Sequence, residues 1–275
     1  MQRSESARAK VRPRGAVRGV IRSRTMLGLR ISGLLALAVL AAGCGDFTDA
    51  VGDEGLIRVS IYSNHEISAD DLRNVGIVAG HPQKFDVTLT ETGRQKISRP
   101  DDLTYTLTPD PGVAFALESG GPPDFTITVP ETGMFRLDAI DQGMAVDGVD
   151  LRFETVASFE LVVKVRAPFT EDFVVQPSGQ TSMVTEGSEV VFIPVPRGAD
   201  GERLAGDVVS AAAFDPAWTV VPDIDVEANW ENGILTSKGE GTFYIIEPGT
   251  ITLTVTDTVG GGSGQHVFAV APIMP

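Results

Sequence analysis

The stretches GMFRLDAID (Gly133–Asp141) and GTITLTVTD (Gly249–Asp257) follow one template. Each begins with Gly, has an apolar residue two positions later, Leu at the fifth place, Ala or Val at the seventh and Asp at the ninth. Because successive side chains of a β-strand point to opposite faces, this alternation predicts a strand with one buried face. The recurrence of the template 116 residues later predicts that the chain contains one architectural unit twice.

The rest of the first half has the same alternating character. Turn-forming clusters such as PDPG at 109–112 and PETG at 130–133 separate short apolar–polar runs. The sequence therefore predicts five further strands in this half: Leu56–Tyr62, Lys84–Thr90, Leu103–Thr108, Asp124–Val129 and, as the closing strand, Phe159–Val165.

The second half repeats this plan. The matched segments are Glu189–Val195 with the Lys84 strand, Ala217–Val226 with Thr104–Val113, Phe243–Gly249 with Phe125–Glu131, and Gly264–Val270 with the closing strand. The alignment places Tyr105 and Trp218 at the same position inside the third strand, where an aromatic side chain suits a sandwich core. Gly206–Phe214 is predicted as either a helix or a strand.

About seven short strands in each half predict an all-β fold of two tandem β-sandwiches. The Gly-to-Asp template resembles the penultimate strand of bacterial immunoglobulin-like and PKD-like domains. That resemblance implies one immunoglobulin-like domain over 56–167 and a second over 168–275. Neither half has the Tyr of a tyrosine corner at this place, and the single cysteine excludes an intradomain disulfide.

The N-terminal region has the pattern of an export signal. The apolar stretch Ile31–Gly43 follows a basic leader, and its thirteen residues are too few for a transmembrane helix, which needs about 20. Met26 begins a complete signal by itself, so we expect translation to start there. Residues 1–43 are accordingly predicted to be an N-terminal extension and a lipoprotein signal peptide.

The segment LAAGC (Leu40–Cys44) resembles the lipobox of bacterial lipoproteins. The resemblance implies that the Cys44 thiol carries acyl chains such as palmitate and that Cys44 is the first residue of the mature chain. Leu lies four residues before the Cys, whereas the commonest form has it at three. The alternative is an ordinary signal peptide followed by a chance Cys.

From Cys44 onward the chain has 13 basic and 36 acidic residues, a net charge of −23. Such a surface repels nucleic acid and anionic headgroups, so we expect no nucleic-acid partner and anchoring through acyl chains alone. Residues 44–55 are polar and Gly-rich, and they are predicted to form a lipidated tether. Gly45, in place of Asp, favours the outer membrane if the cell is Gram-negative.

Groups that could support catalysis or metal binding are sparse. The three histidines, His65, His81 and His266, have no metal-ligand spacing, and GGGSGQ at 260–265 is predicted to be a flexible hairpin loop. Carboxylates cluster at Asp70–Asp71, Asp101–Asp102, Asp147/Asp150 and Asp223/Asp225, without an EF-hand pattern. We therefore predict no catalytic residue, no metal site and no cofactor.

Three function classes remain open. The main expectation is a membrane-anchored, extracytoplasmic lipoprotein of the bacterial cell envelope with a structural, adhesive or scaffolding role, acting on an unidentified protein or glycan partner. The alternative is a glycan- or calcium-binding module that uses acidic sandwich loops, with Trp230 and Phe214 as candidate exposed aromatics. A hydrolase would need a pocket where two carboxylates, or a His and a nucleophile, converge.

Overall fold

The structure is a computed structural model that describes residues 46–67, 71–97, 103–108, 116–117, 124–222, 229–231 and 234–273. Within these ranges the one α-helix is α1 (Glu91–Lys96), and short 3₁₀ helices occur at Leu72–Asn74 and Ala217–Thr219. All other regular structure is β-strand, and most of it is antiparallel.

The first nine strands are β1 (Asp46–Val51), β2 (Ile57–Ser63), β3 (Gly76–Val78), β4 (Gln83–Leu89), β5 (Thr104–Thr108), β6 (Ala116–Leu117), β7 (Asp124–Ile127), β8 (Gly133–Asp141) and β9 (Met144–Glu154). The following eleven are β10 (Ser158–Arg166), β11 (Val174–Val175), β12 (Ser182–Thr185), β13 (Glu189–Arg197), β14 (Val209–Asp215), β15 (Val220–Pro222), β16 (Asn229–Glu231), β17 (Ile234–Lys238), β18 (Gly241–Ile245), β19 (Gly249–Asp257) and β20 (Ser263–Ala271).

Two sheets enclose the first apolar core. One has the order β1-β2-β4-β7-β6, and the other has the order β3-β9-β8-β5. Their facing side chains are buried, among them Ile57, Phe85, Phe125, Leu137 and Phe153. Each large apolar side chain buried in this way contributes about 1.5–3 kcal/mol relative to an exposed one.

A second apolar core lies within the remaining strands. Their order is β15-β18-β13-β10-β20-β19-β14-β17-β16, and the two halves of this sheet are joined through one bridge between Ser158 and Ser263. The halves face each other across Phe192, Phe243, Leu253 and Phe268. The predicted all-β, sandwich-like fold class is confirmed.

The two template strands are confirmed to the residue as β8 and β19. Each is flanked by a preceding strand (β5 or β14) and by the strand that follows it (β9 or β20). In both, the apolar template residues at the third, fifth and seventh places are buried. The template therefore marks the same place in two similarly built sheets.

The closing strand of the first half was assigned wrongly. β10 (Ser158–Arg166) pairs with β13, and its alternate residues Phe159, Leu161, Val163 and Val165 belong to the second core. β10 pairs with β13 in the second core as β2 pairs with β4 in the first, so β10 is an early strand of the second unit. The strand beside β8 is β9, which the sequence concealed because Asp147 and Gly148 resemble turn residues in its middle.

The predicted tether is also wrong where the structure describes it. Residues Asp46–Val51 form β1, which is paired along its whole length with β2. Its composition, DFTDAV, is polar for a strand because β1 lies at the edge of its sheet and, among the described side chains at 47–51, buries Thr48 and Ala50 on its inner face.

A third error concerns the aromatic residue aligned with Tyr105. The strand beside β19 is β14, so Gly206–Phe214 supplies a strand, and Phe214 is buried against Phe243 with ring centroids 4.6 Å apart. Trp218 lies on the 3₁₀ turn after β14, and 62% of its surface is exposed. Tyr105 is buried as expected.

The two cores contact each other through backbone hydrogen bonds of the kind found in a parallel sheet. β3 lies parallel to the segment at Leu204–Gly206, with Val78 N donating to Ala205 O (3.0 Å) and Ala205 N donating to Gly76 O (2.8 Å). Ala205 packs in the first core and Val78 packs in the second. This region, which we call the junction, therefore has apolar contacts as well as hydrogen bonds.

Candidate functional site

All three histidines are buried, and each connects segments that are distant in sequence. His65 Nε2 lies 2.8 Å from the carbonyl oxygen of Leu204, 139 residues away, and His81 Nε2 lies 2.6 Å from Asp257 Oδ1, 176 residues away. His266 Nε2 lies 2.8 Å from Ser182 Oγ. These histidines therefore connect segments that are far apart in the sequence.

Asp257 is more than the turn former that ends its strand. It does accept from the backbone N–H groups of Val259 (3.0 Å) and Gly260 (2.6 Å), and in addition it holds His81 from the first half of the chain. Burial alone would raise the pKa of the Asp257 carboxyl, but the hydrogen bonds from His81 and from the two amides outweigh it and lower that pKa. Asp257 is therefore charged and structural.

The Ser182–His266 pair has the atoms of a nucleophile and a base but no access. Both side chains are buried, and the His266 ring packs against Phe268 with centroids 4.8 Å apart. Burial lowers the pKa of His266, because the charged imidazolium is poorly solvated there. The pair joins β12 to β20, two strands that also form a parallel ladder.

Asp147 is the corresponding buried carboxylate of the first core. It accepts four backbone N–H groups at 2.7–2.9 Å, from Glu54, Leu56, Ile57 and Gly148. These bonds close the turn between β1 and β2 onto β9. Since all of its acceptor positions are used in this way, Asp147 is occupied structurally.

The other carboxylate clusters give no metal site in the described part of the chain. Asp150 pairs with Arg136 (3.2 Å), and Asp71 pairs with Arg73 (2.6 Å). Asp70, Asp101–Asp102 and Asp223/Asp225 lie outside the described residues. Among the residues that are described, no group of three His, Cys, Asp or Glu side chains could hold a metal ion.

A small cavity of about 160 Å³ lies at the junction. Arg152 and Arg203 line it together with Ile67 and Val75, but Arg152 pairs with Glu154 and Arg203 pairs with Glu160. Its volume falls below the roughly 300–1,000 Å³ typical of small-molecule sites.

Only residues 260–262 of the predicted hairpin loop at 260–265 lie in the connection between β19 and β20, because β20 begins at Ser263, and two glycines of the stretch are required for packing. A Cβ on Gly262 would lie 2.5 Å from the carbonyl oxygen of Val156, and one on Gly264 would lie 2.4 Å from that of Phe159. These glycines allow β20 to approach β10 closely.

Cys44, the predicted lipidation site, and the predicted signal peptide lie outside the described residues. The first described strand begins at Asp46, opposite Ser63 in the ladder with β2. Ser63 Oγ accepts from Gly206 N (2.8 Å), so β1 begins beside the junction. No helix in the described ranges is long and apolar enough to cross a membrane.

The best candidate contact surface lies at the end of the second core opposite the junction. We call it the distal tip and define it by Phe169, Trp218, Ile246 and Ile273, all exposed. The four lie around Gly187: its N–H donates to Ile245 O, and a Cβ there would lie 3.2 Å from Pro168 and 3.3 Å from Ile273. Ile246 N donates to Thr219 O (2.9 Å), which brings the Trp218 turn to the same end.

Phe169 is the most prominent residue of the distal tip. It is 99% exposed and occupies the third position of a turn closed by Thr170 N donating to Ala167 O (3.2 Å). Its φ of 65° is the left-handed conformation that this turn position normally reserves for Gly or Asn. An apolar ring is thus held in water on a backbone conformation that is costly for it.

Acidic residues surround the distal tip. The segments 167–173, 185–188, 215–219, 245–249 and 271–273 contain five carboxylates and no Lys or Arg: Glu171, Asp172, Glu186, Asp215 and Glu247. The neighbouring Arg166 is paired with Glu189, and its guanidinium lies 5.0 Å from the Phe173 ring centroid. Sequence reasoning missed this surface because Trp218 was assigned to the core and Phe169 lies in a turn.

Comparisons with known proteins give only distant similarities. No protein-family model matches the chain, and no curated protein matches its sequence. Among solved structures, the Escherichia coli adhesin FdeC is 15% identical with a TM-score of 0.28, covering 78% of this chain and 74% of its own.

Two further solved structures are similarly remote. Domains 4 and 5 of the S-layer protein SbsC are 13% identical with a TM-score of 0.26, and a tandem of titin immunoglobulin domains is 8% identical with a TM-score of 0.22. Each covers 72% of this chain and 94% of its own. At these scores the comparisons assign no family, and functional inference depends on the surface described above.

Proposed function

We propose that this protein is a non-catalytic, extracytoplasmic lipoprotein of the bacterial envelope, held to a membrane through Cys44 and acting as an adhesive or scaffolding protein. Two tandem immunoglobulin-like domains, one around each core, form its body. In a Gram-negative cell its membrane would be the outer one, because Gly45 follows the lipidated residue. The distal tip is the surface that contacts the partner.

The observation that supports this function best is the exposed aromatic pair of the distal tip. Phe169 and Trp218 lie on turns supported by a packed sandwich, so little conformational entropy is lost when they are buried against a partner. Aromatic anchors of this kind dominate the energetics of protein interfaces, at about 2 kcal/mol or more each. By contrast, the buried His81, Asp147, Asp257 and His266 are all engaged in structural contacts.

The charge around the distal tip supports one class of partner. Five carboxylates without a compensating Lys or Arg surround the apolar centre of the distal tip, so the complementary surface is an apolar pocket bordered by Lys or Arg. Nucleic acid has no such pocket and is itself anionic. The partner is therefore a protein with a basic rim, and salt should weaken its association with this chain.

The experiment is an adhesion assay with a matched control. Beads carrying the natural lipoprotein are incubated with outer envelopes of the producing bacterium, and retained envelope is compared for wild type, F169S/W218S and M144S. Met144 is also an exposed apolar residue but lies on β9 of the first core. We expect at least a tenfold loss for the tip variant, none for M144S, and weaker retention by wild type in high salt. Equal retention by all three proteins would contradict the proposal.

The anchor has its own test. Replacing Cys44 with Ala and fractionating the cells should move the protein out of the membrane fraction, because the acyl chains can no longer be attached. Membrane association unchanged by C44A would refute the lipid anchor while leaving the tip assay valid.

A glycan-binding function is the second candidate, and the exposure of Trp218 is what favours it. An indole face can stack on a sugar ring, and such stacking depends little on salt. Retention that resists high salt but is lost on adding soluble envelope glycans, and in W218F, would identify this function. For the calcium version, an unchanged melting temperature at millimolar calcium would argue against it.

A further inference from the structure

A second exposed aromatic pair lies at the start of the folded chain. Phe47 on β1 and Tyr62 on β2 are directly opposite each other in the ladder, with ring centroids 5.1 Å apart. Their exposed fractions are 63% and 45%. β1 is the edge of its sheet, so no further strand of the described residues lies beside Phe47.

The position of this pair in the chain limits how far it can lie from the predicted lipid anchor at Cys44. Phe47 is three residues after Cys44, and three residues of fully extended chain span about 10 Å at most. The structure replaces the expected tether with strand from Asp46 onward, so only Gly45 separates Cys44 from the sheet. If the acyl chains begin at the hydrocarbon boundary, Phe47 cannot leave the adjoining headgroup layer by much.

The charges on the same outward face are balanced. Asp49 follows Phe47 on this face of β1 and pairs with Arg58 of β2 at 3.3 Å. The remaining outward positions, Val51 and Ser60, carry no charge. This face thus differs from a mature chain whose overall net charge is −23, and approach to a lipid surface is not opposed there by unpaired charge.

We propose that the outward face of β1 and β2 rests in the interfacial layer of the membrane that holds the Cys44 acyl chains, with the Phe47 and Tyr62 rings among the headgroups. Tyr prefers this layer because its ring contacts apolar material while its hydroxyl stays hydrated, and the apolar Phe47 ring would be removed from water at the boundary of the headgroups and acyl chains. The lipid bilayer is thus what the two aromatic rings contact. This inference rests on the proposed lipid anchor.

The orientation that follows is specific. β1 begins beside the junction, so the anchor joins the molecule next to the contact between the two cores and away from the distal tip. With β1 and β2 on the lipid, the first core lies with its flank on the bilayer instead of standing on one end.

The test uses the natively lipidated protein, extracted from membranes and reconstituted into phosphatidylcholine vesicles. Amide hydrogen exchange is measured over residues 46–63 on vesicles and in detergent, for wild type, F47S/Y62S and the control M134S/M144S. Met134 and Met144 are exposed apolar residues of β8 and β9, so the control removes similar surface elsewhere. Melting temperatures establish that all three proteins fold.

We expect exchange in this segment to slow at least threefold on vesicles for wild type and for the control, and to show no slowing for F47S/Y62S. Equal exchange on vesicles and in detergent for wild type, or protection that survives in F47S/Y62S, would overturn the inference. Recovery of the wild-type chain from the soluble fraction would instead overturn the anchor on which it depends.

Discussion

His81 Nε2 donates to Asp257 Oδ1 across 2.6 Å, and the two residues come from opposite sides of the junction. Val209 N donates to His81 Nδ1 at 3.4 Å, so Nδ1 is an acceptor and Nε2 is the nitrogen that donates to Asp257. Both side chains are almost fully buried. A carboxylate that ends a strand in one half of the chain thereby binds the other half.

Replacing Asp257 with Asn should destabilise the protein by about 2–3 kcal/mol, because the amide cannot accept from His81, Val259 and Gly260 as the carboxylate does. Urea unfolding measures the loss. The control is D150N, which removes an exposed carboxylate paired with Arg136 and should cost about 1 kcal/mol or less. Similar losses in the two variants would argue against a special role for Asp257.

The Asp257 carboxylate should also make the stability of the protein depend on pH in acid. Since the folded-state pKa of Asp257 is lowered, its contribution to stability is full above the unfolded-state pKa of about 4 and is lost as the pH falls through the folded value. The stability difference between wild type and D257N should therefore shrink below about pH 4. Urea unfolding at pH 7 and pH 3 gives the two differences, and an unchanged difference would contradict the assignment.

The buried His266 should make the stability of the protein depend on pH in a higher range, between pH 7 and pH 5. Burial lowers its pKa, so below about pH 6.5 the unfolded chain takes up a proton that the folded chain does not. Stability should fall as the pH drops from 7 to 5, and H266Q should reduce that slope. S182A keeps the imidazole and serves as the control, which should retain the slope.

Gly264 should not tolerate a side chain. Because its Cβ would lie 2.4 Å from the carbonyl oxygen of Phe159, G264A forces β20 away from β10 and should cost about 1–3 kcal/mol. Gly143, in the β8–β9 turn with a φ of 81° and open space around it, is the comparison. There G143A should cost only the backbone strain, about 1–2 kcal/mol, and G143N should cost less.

We expect Phe169 to lower the stability of the fold, because its exposed ring lies on a strained backbone position. At a φ of 65°, with its ring exposed, F169G relieves backbone strain and removes no packing, so thermal melting should show an unchanged or higher melting temperature. The adhesion assay should show the opposite direction for the same variant. A drop in melting temperature would mean that the ring has contacts that stabilise the fold.

The parts of the fold that the sequence predicted are those in which local alternation carries the information. β8 and β19 were predicted to the residue, and β4 and β7 were predicted to within two residues at each end. Whether a strand joins one core or the other depends instead on its pairing. β10 looked like the end of the first half because its partner β13 begins only at Glu189.

The candidate surfaces were less predictable for the same reason. Nothing local distinguishes the exposed Trp218 from the buried Phe214 four residues earlier, since each lies two residues from the turn residue Pro216. The partners of His65 and His81 lie 139 and 176 residues away, so no spacing pattern could reveal them. The Asp template likewise gave no sign that Asp257 reaches across the junction.

The place where β1 starts has a mechanical consequence. A load applied between the distal tip and a membrane-held Cys44 would run along the second core, cross the junction and leave through the first residues of β1. The far end of the first core, where Asp147 closes its turn, would carry none of it. Resistance to tension would then depend on the contacts of His81, Ala205 and Val78. Most of the first core would lie outside the path of the force.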